Sequence, residues 1–196
     1  MEQVRQRLAA VNTLVYGCGM NERLTKSDWI NQGLRTLTAE GSGGLKVGPM
    51  SAKLKVSRGS FYWHFEDIAA FRTELLRTWR EQATDRVIQE LSERSEPDRL
   101  NYLMKRAFSQ NRTLERAMRS WAAEDEAVAA IVTSVDASRV GYIAQLMIEA
   151  GVDGARARPR AAFVYWAYLG QAIAMDRRHA NVDDLAIDDI SGLFET

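Results

Sequence analysis

Ser57-Arg58-Gly59-Ser60-Phe61-Tyr62-Trp63-His64-Phe65 is the stretch on which the fold turns. Ser57 is a residue type that starts helices, and Phe61 and Phe65 stand four apart, so a short helix from Arg58 places both rings on one face. Three more rings follow one another at Tyr62, Trp63 and His64. They cannot all enter one small core, so at least one is exposed. Upstream, Gly48-Pro49 opens a second helix that runs to about Leu54, with proline suited to a first helical turn. Before it, Thr25 and Asp28 form a T-x-x-D capping pattern ahead of Ile30, Leu34 and Leu37, and Gly41-Ser42-Gly43-Gly44 ends that helix. Downstream, Glu66 and Asp67 begin a long fourth helix with Phe71, Leu75, Leu76, Trp79 and Val87 inward, fading between Ser92 and Glu96.

The rest of the 196-residue chain keeps the same period. Leu100, Leu103, Met104 and Phe108 make one apolar face, and Leu114, Met118 and Trp121 another. An amphipathic stretch from Asp125 to Ala150 stops at Gly151, a helix runs through Pro159 as far as His179, and a last one covers Val182 to Phe194. Alternation of strand type is absent, and the three prolines seldom forbid helix. The chain therefore reads as all-α: an N-terminal arm (1–24), a three-helix helix-turn-helix unit (25–70) and a larger helical bundle (71–196). With 46% hydrophobic residues it can bury a sizeable core.

Charge separates the two parts. Lys plus Arg equals Asp plus Glu at 26 each, which excludes a histone-like polycation. Residues 1–80 nevertheless hold 12 basic and 7 acidic side chains, and residues 81–196 hold 14 and 19. Lys46 to Ser60 contains Lys46, Lys53, Lys55 and Arg58 and no acid. In a helix-turn-helix the helix after the turn enters the DNA major groove, and such cations attract phosphate. Cys18 is the single cysteine, so no intrachain disulfide forms, in keeping with a reducing cytoplasm. The apolar run Ala161 to Met175 spans about 22 Å as a helix, short of the roughly 30 Å of a bilayer core, and no membrane partner is expected. Arg5, Arg7 and the stretch before Cys18 loosely imitate a lipoprotein signal, but Asn12, Thr13 and Tyr16 do not suit one.

From Ser57 to Phe65 the chain resembles the recognition helix of TetR-type transcriptional regulators, whose signature there is aromatic-Tyr-x-His-Phe. Leu45-x-Val47, Ala52, Leu54-x-Val56-Ser57 and Glu40-Gly41 match the family spacing, and the similarity covers about Thr25 to Leu76. The resemblance implies a homodimer that grips a palindromic operator and lets go when a small molecule enters the bundle. It implies phosphate contacts from Tyr62 and His64, and a sugar or thymine-methyl contact from Trp63. Packing of Trp63 on the fourth helix is the alternative. Arg58, at the front of the helix, is placed to read guanine. Ser57 caps the helix or meets a phosphate, Gly59 permits close approach, Ser60 is a candidate by position, and Lys53 supplies general attraction. Three departures stand out. Lys55 replaces a turn glycine, which suggests a differently shaped turn. Lys46 replaces a capping threonine. Ile68 replaces a phosphate-binding cation.

In the bundle, Met104, Phe108, Met118, Trp121, Tyr142, Met147 and Trp166 are the candidate lining of a ligand pocket, with plain core as the alternative for each. Their lack of concentrated charge favours an apolar or amphipathic effector. Ala167, Gly170 and Ala174 put small residues on one face of the Pro159 helix. With Leu185, Ile187, Ile190, Leu193 and Phe194 this suggests a dimer interface through the last two helices. No cofactor, metal set or catalytic constellation stands out: His64 and His179 lack partners at ligand spacing, and Asp183, Asp184, Asp188 and Asp189 read as a solvated face. Two rivals to the ligand-responsive repressor remain. One is a helical enzyme or carrier whose front unit is a lid, which needs no acid-free basic stretch. The other is a DNA-binding regulator answering to a protein partner.

Overall fold

The computed structural model describes residues 24–94, 99–109, 112–174 and 182–195. The expected arm, apart from Leu24, lies outside them, as do Cys18, Pro97 and the helix end at His179. Helices α1 (Lys26–Glu40), α2 (Val47–Lys53) and α3 (Arg58–Tyr62) form the front unit. Helix α4 (Ile68–Arg80) passes through a π-helical turn (Glu81–Asp85) into α5 (Arg86–Ser92). Helices α6 (Arg99–Ser109), α7 (Thr113–Glu124), α8 (Glu126–Glu149) and α9 (Gly154–Leu169) follow, α9 running on into a second π turn (Gly170–Ala174), and α10 (Asp184–Glu195) is last. No strand occurs among the described residues.

Local chemistry sets these boundaries. Thr25 accepts from the Asp28 amide while Asp28 accepts from the Thr25 amide, the reciprocal capping that the T-x-x-D pattern predicts. Asp67 caps α4 through the Ala70 amide at 2.7 Å. Asp125 caps α8 through the Ala127 and Val128 amides. The second helix begins one residue before Gly48, and its N-cap Lys46 makes no side-chain cap bond, as a side chain with no acceptor must.

The front unit closes on Phe61. Its fully buried ring meets Trp29, Phe65 and Phe71 at centroid distances of 5.2, 5.1 and 5.5 Å. Gly33 allows α1 to lie close to α4: a Cβ there would stand 2.5 Å from Phe71 Cζ and 2.6 Å from Leu75 Cδ1. This core does not stop at the front unit. It continues through Leu75 and Trp79 to Met118, Trp121, Val128, Val132 and Val135, so α4, α7 and the first half of α8 share it. A second cluster joins α6, the rest of α8, α9 and α10 around Leu100, Met104, Met147, Ala161 and Ile187. Helix α8, at 24 residues, is by length and composition able to cross a membrane, which a count of unbroken apolar runs misses because Asp136 and Arg139 interrupt it. Here it packs against α7 and α9 and pairs both charges.

The turn between α2 and α3 corrects an expectation. Lys55 does not reshape it; Lys55 adopts φ 56°, the left-handed conformation a glycine would take. Val56 N–H reaches Ser51 O at 3.0 Å and Lys55 N–H reaches Ala52 O at 3.1 Å, a Schellman closure. The end of α8 repeats it with glycine: Gly151 has φ 98°, and Val152 N–H reaches Met147 O at 2.9 Å. A left-handed lysine costs about 1 kcal/mol more than glycine. Lys55→Gly is therefore expected to raise unfolding stability by about 1 kcal/mol in urea titration. Equal or lower stability would show that the turn carries no strain.

Candidate functional site

The exposed face of α3 comes first. Ser57, Arg58 and Gly59 are exposed and Ser60 is half-buried. Trp63 is 80% exposed and Tyr62 58%, so Trp63 does not pack away against α4. Ser57 stands at the N-cap without a side-chain cap bond, which corrects its reading as a cap and leaves its hydroxyl on the surface. A Cβ on Gly59 would meet only Ser57 Oγ, at 3.5 Å, so packing within the chain does not require glycine there. Arg58 lies across the start of α2, where a Cβ on Gly48 would come within 3.0 Å of its Nη2. His64 is half-buried, and its Nε2 donates to the Leu24 carbonyl at 2.8 Å, tying down the entrance to α1. Lys53 pairs with Glu40 across an exposed surface. Ile68 turns toward the front core instead of presenting charge.

The second candidate is a cavity of about 240 Å³ in the bundle. Met104, Phe108 and Tyr142 of the expected lining are in its wall, joined by Trp79, Val87, Ile88, Leu100, Leu103, Ile143 and Val164. The other four are elsewhere. Met118 and Trp121 sit fully inside the front core, because α7 turns that face toward α1 and α4. Met147 is buried in the core behind the cavity, and Trp166 is 66% exposed. For the other six, helical periodicity gives an inward face without saying which of two cores receives it, and at Trp166 it gives the wrong face.

The sequence reading missed the polar floor of this cavity. Glu115 is buried and accepts from Arg119 at 3.0 Å and from Arg139 at 3.1 Å. Arg119 grips Asp136 with both terminal nitrogens, at 3.0 and 2.6 Å. Tyr165 donates to Asp136 at 2.6 Å and stacks on Tyr168. Burial opposes the charge on Arg139, but Glu115 together with the Tyr165 and Tyr168 oxygens outweighs it and holds the guanidinium protonated. Burial raises Tyr165 far above a free phenol and raises Tyr168 as well, so both remain hydrogen-bond donors. Two arginines face two carboxylates, so these four groups balance in charge.

Arg139 also reaches out of the network. Its Nε donates to Thr84 Oγ1 at 3.0 Å and its Nη2 to the Ala83 carbonyl at 3.3 Å, both in the π turn that joins α4 to α5. The second π turn is held in a similar way, with Arg116 donating to the Ala172 carbonyl at 3.3 Å. A π turn loosens the helical ladder, and here arginines from the bundle take the carbonyls. These partners lie more than fifty residues apart in sequence. Removing Glu115 leaves Arg139 buried without a carboxylate, while Arg119 keeps Asp136. Glu115→Ala is accordingly expected to lower stability by about 3 kcal/mol in chemical denaturation. A loss well under 1 kcal/mol would show that the network contributes little.

Comparison with solved structures identifies the architecture. A Clostridium perfringens protein assigned as a fatty acid metabolism regulator matches with a TM-score of 0.64 at 13% identity, covering 85% of this chain and 95% of its own. A Rhodococcus protein assigned to the TetR family of transcriptional regulators matches with a TM-score of 0.60 at 20% identity, covering 87% of this chain and 97% of its own. No protein-family model matches the sequence, and no curated protein sequence matches it. The chain thus has the TetR-type fold, all-α with an N-terminal helix-turn-helix and a C-terminal helical bundle.

Proposed function

We propose that this chain, which has the TetR-type fold, is a sequence-specific DNA-binding transcriptional regulator. In this reading it is a cytoplasmic homodimer that represses from a palindromic operator and leaves it when a small molecule fills the bundle cavity. The observation that carries the reading is the α3 face. Arg58, Trp63 and Tyr62 stand exposed at the end of an acid-free basic stretch, where an isolated globular unit gains nothing by exposing two large rings. Arg58 and Ser60 read base edges, with Trp63 against sugar or a thymine methyl. Ser57, Tyr62 and Lys53 hold the backbone, and Gly59 admits it closely. His64 acts by fixing the α1 entrance, in addition to any phosphate contact. The exposed pair Lys53–Glu40 is weak enough for a phosphate to displace.

Two-fold symmetry of the operator calls for a two-fold protein. The exposed faces of α9 and α10 suit that role: Phe163, Trp166 and Ala167 stand on one, Leu185 and Leu193 on the other. Release rests on the long helix. Its first part packs in the front core through Phe71 and Leu75, and its π turn, at Ala83 and Thr84, forms part of the cavity wall. A ligand that binds better to one arrangement of that turn shifts the population of front-unit positions by its differential affinity.

Two outcomes follow for duplexes recovered by selection from a random-sequence pool. Arg58→Ala should cost about 1–3 kcal/mol of specific binding and relax preference at one position per half-site. Lys53→Ala should weaken selected and scrambled duplexes alike and flatten the salt slope by about one unit. An Arg58→Ala protein that discriminates as the parent does would remove α3 from the reading surface. Trp166→Asp should convert a dimer to monomer by sedimentation, and an unchanged mass would move the interface elsewhere.

A further inference from the structure

Arg58 is held in a different way from its paired neighbours in the front unit. Lys53 pairs with Glu40, Lys26 with Glu74, and Arg35 donates to Gln32. The Arg58 side chain makes no hydrogen bond or ion pair among the described residues. Shape holds it instead. A Cβ on Gly48 would stand 3.0 Å from Arg58 Nη2, 3.3 Å from Nε and 3.4 Å from Cζ. The guanidinium therefore reaches back from α3 and lies over the bare first turn of α2.

The backbone does not ask for glycine at this position, since Gly48 is not in the left-handed region. Inside a helix glycine is also less favourable than alanine or leucine. The space over its Cα is what the guanidinium occupies. A Cβ would push that group outward by a few tenths of an ångström, and a Cγ would need the place it fills. An exposed arginine otherwise spreads over many rotamers, whereas bidentate contact with a base edge requires one. Seating on a Cα restricts the guanidinium and leaves its N–H groups uncommitted, which an acidic partner would not do.

We infer that Gly48 is a specificity-determining residue that touches no base: it seats Arg58 and so fixes which base edge the guanidinium meets. This rests on the reading of α3 as the helix that reads DNA. The test uses the full chain as wild type, Gly48→Leu, Arg58→Ala and the double variant. Each is titrated by anisotropy against the selected duplex and against versions with one base pair changed at a time. Leucine favours helix and adds no charge or hydrogen-bonding group. Gly48→Leu should lose about tenfold of discrimination at the base pair where Arg58→Ala loses it, and keep the rest of the profile. In the Arg58→Ala background it should change nothing further, because Gly48 acts through Arg58. Gly48→Ala should shift the same base pair by less, and it decides the matter if leucine disturbs folding. A loss spread over every position, or one that persists without the Arg58 side chain, would overturn the inference and leave Arg58 as a reader. An unchanged Gly48→Leu profile would overturn it as well. If Arg58→Ala itself matches wild type at every base pair, the reading of α3 falls and the inference with it.

Discussion

The Arg139 guanidinium carries the connection on which the arrangement of the two parts depends. One side of it is neutralised by Glu115, and the other holds the Thr84 hydroxyl and the Ala83 carbonyl of a π turn. A buried arginine costs several kcal/mol to desolvate, so it persists only where its donors are met. Here they are met by α7, by α9 through Tyr165 and by the turn beyond α4. The helix rising from the front unit is thereby fastened to the bundle by polar bonds, where an apolar contact could slide. Apolar packing does the rest, through the core that runs from Phe61 to Val135.

That division separates the two regions on which the proposed function rests. The front core consumes Phe61, Phe65 and Trp29 and leaves Arg58, Tyr62 and Trp63 outside, so the same short helix is an anchor on one face and an open surface on the other. The bundle consumes Met118 and Trp121 in fixing itself to the front unit and keeps Met104, Phe108 and Tyr142 around a cavity. The π turn touches both regions. A displacement at the cavity wall therefore reaches the front unit through continuous helix, and no loop lies between Ile68 and Ser92 to absorb it.

Much of this was legible in the residues. Capping at Thr25, the Phe61–Phe65 pair and the count of rings after Ser60 are local features, and local features survive folding intact. The left-handed turn at Lys55 was legible as a position but not as an outcome, because hydrogen bonds from Val56 and Lys55 to α2 outweigh the strain of a lysine. Gly33 carried no motif; its role exists only in its distance to Phe71 and Leu75. The π turns leave no compositional mark, since one inserted residue alters the hydrogen-bond ladder and not the residue types. The network of Glu115, Arg119, Asp136 and Arg139 reads in sequence as ordinary helix-surface charge, and only the packing of α7 on α8 turns it inward.

The most direct measurement is selection of the wild-type chain on a pool of random-sequence DNA duplexes, followed by anisotropy of the enriched and scrambled duplexes across a salt series. The account predicts an enriched inverted repeat with half-sites about one helical turn apart, and binding that resists scrambled competitor and weakens steeply with salt. A pool that gains no sequence, with equal binding to every duplex, would contradict it.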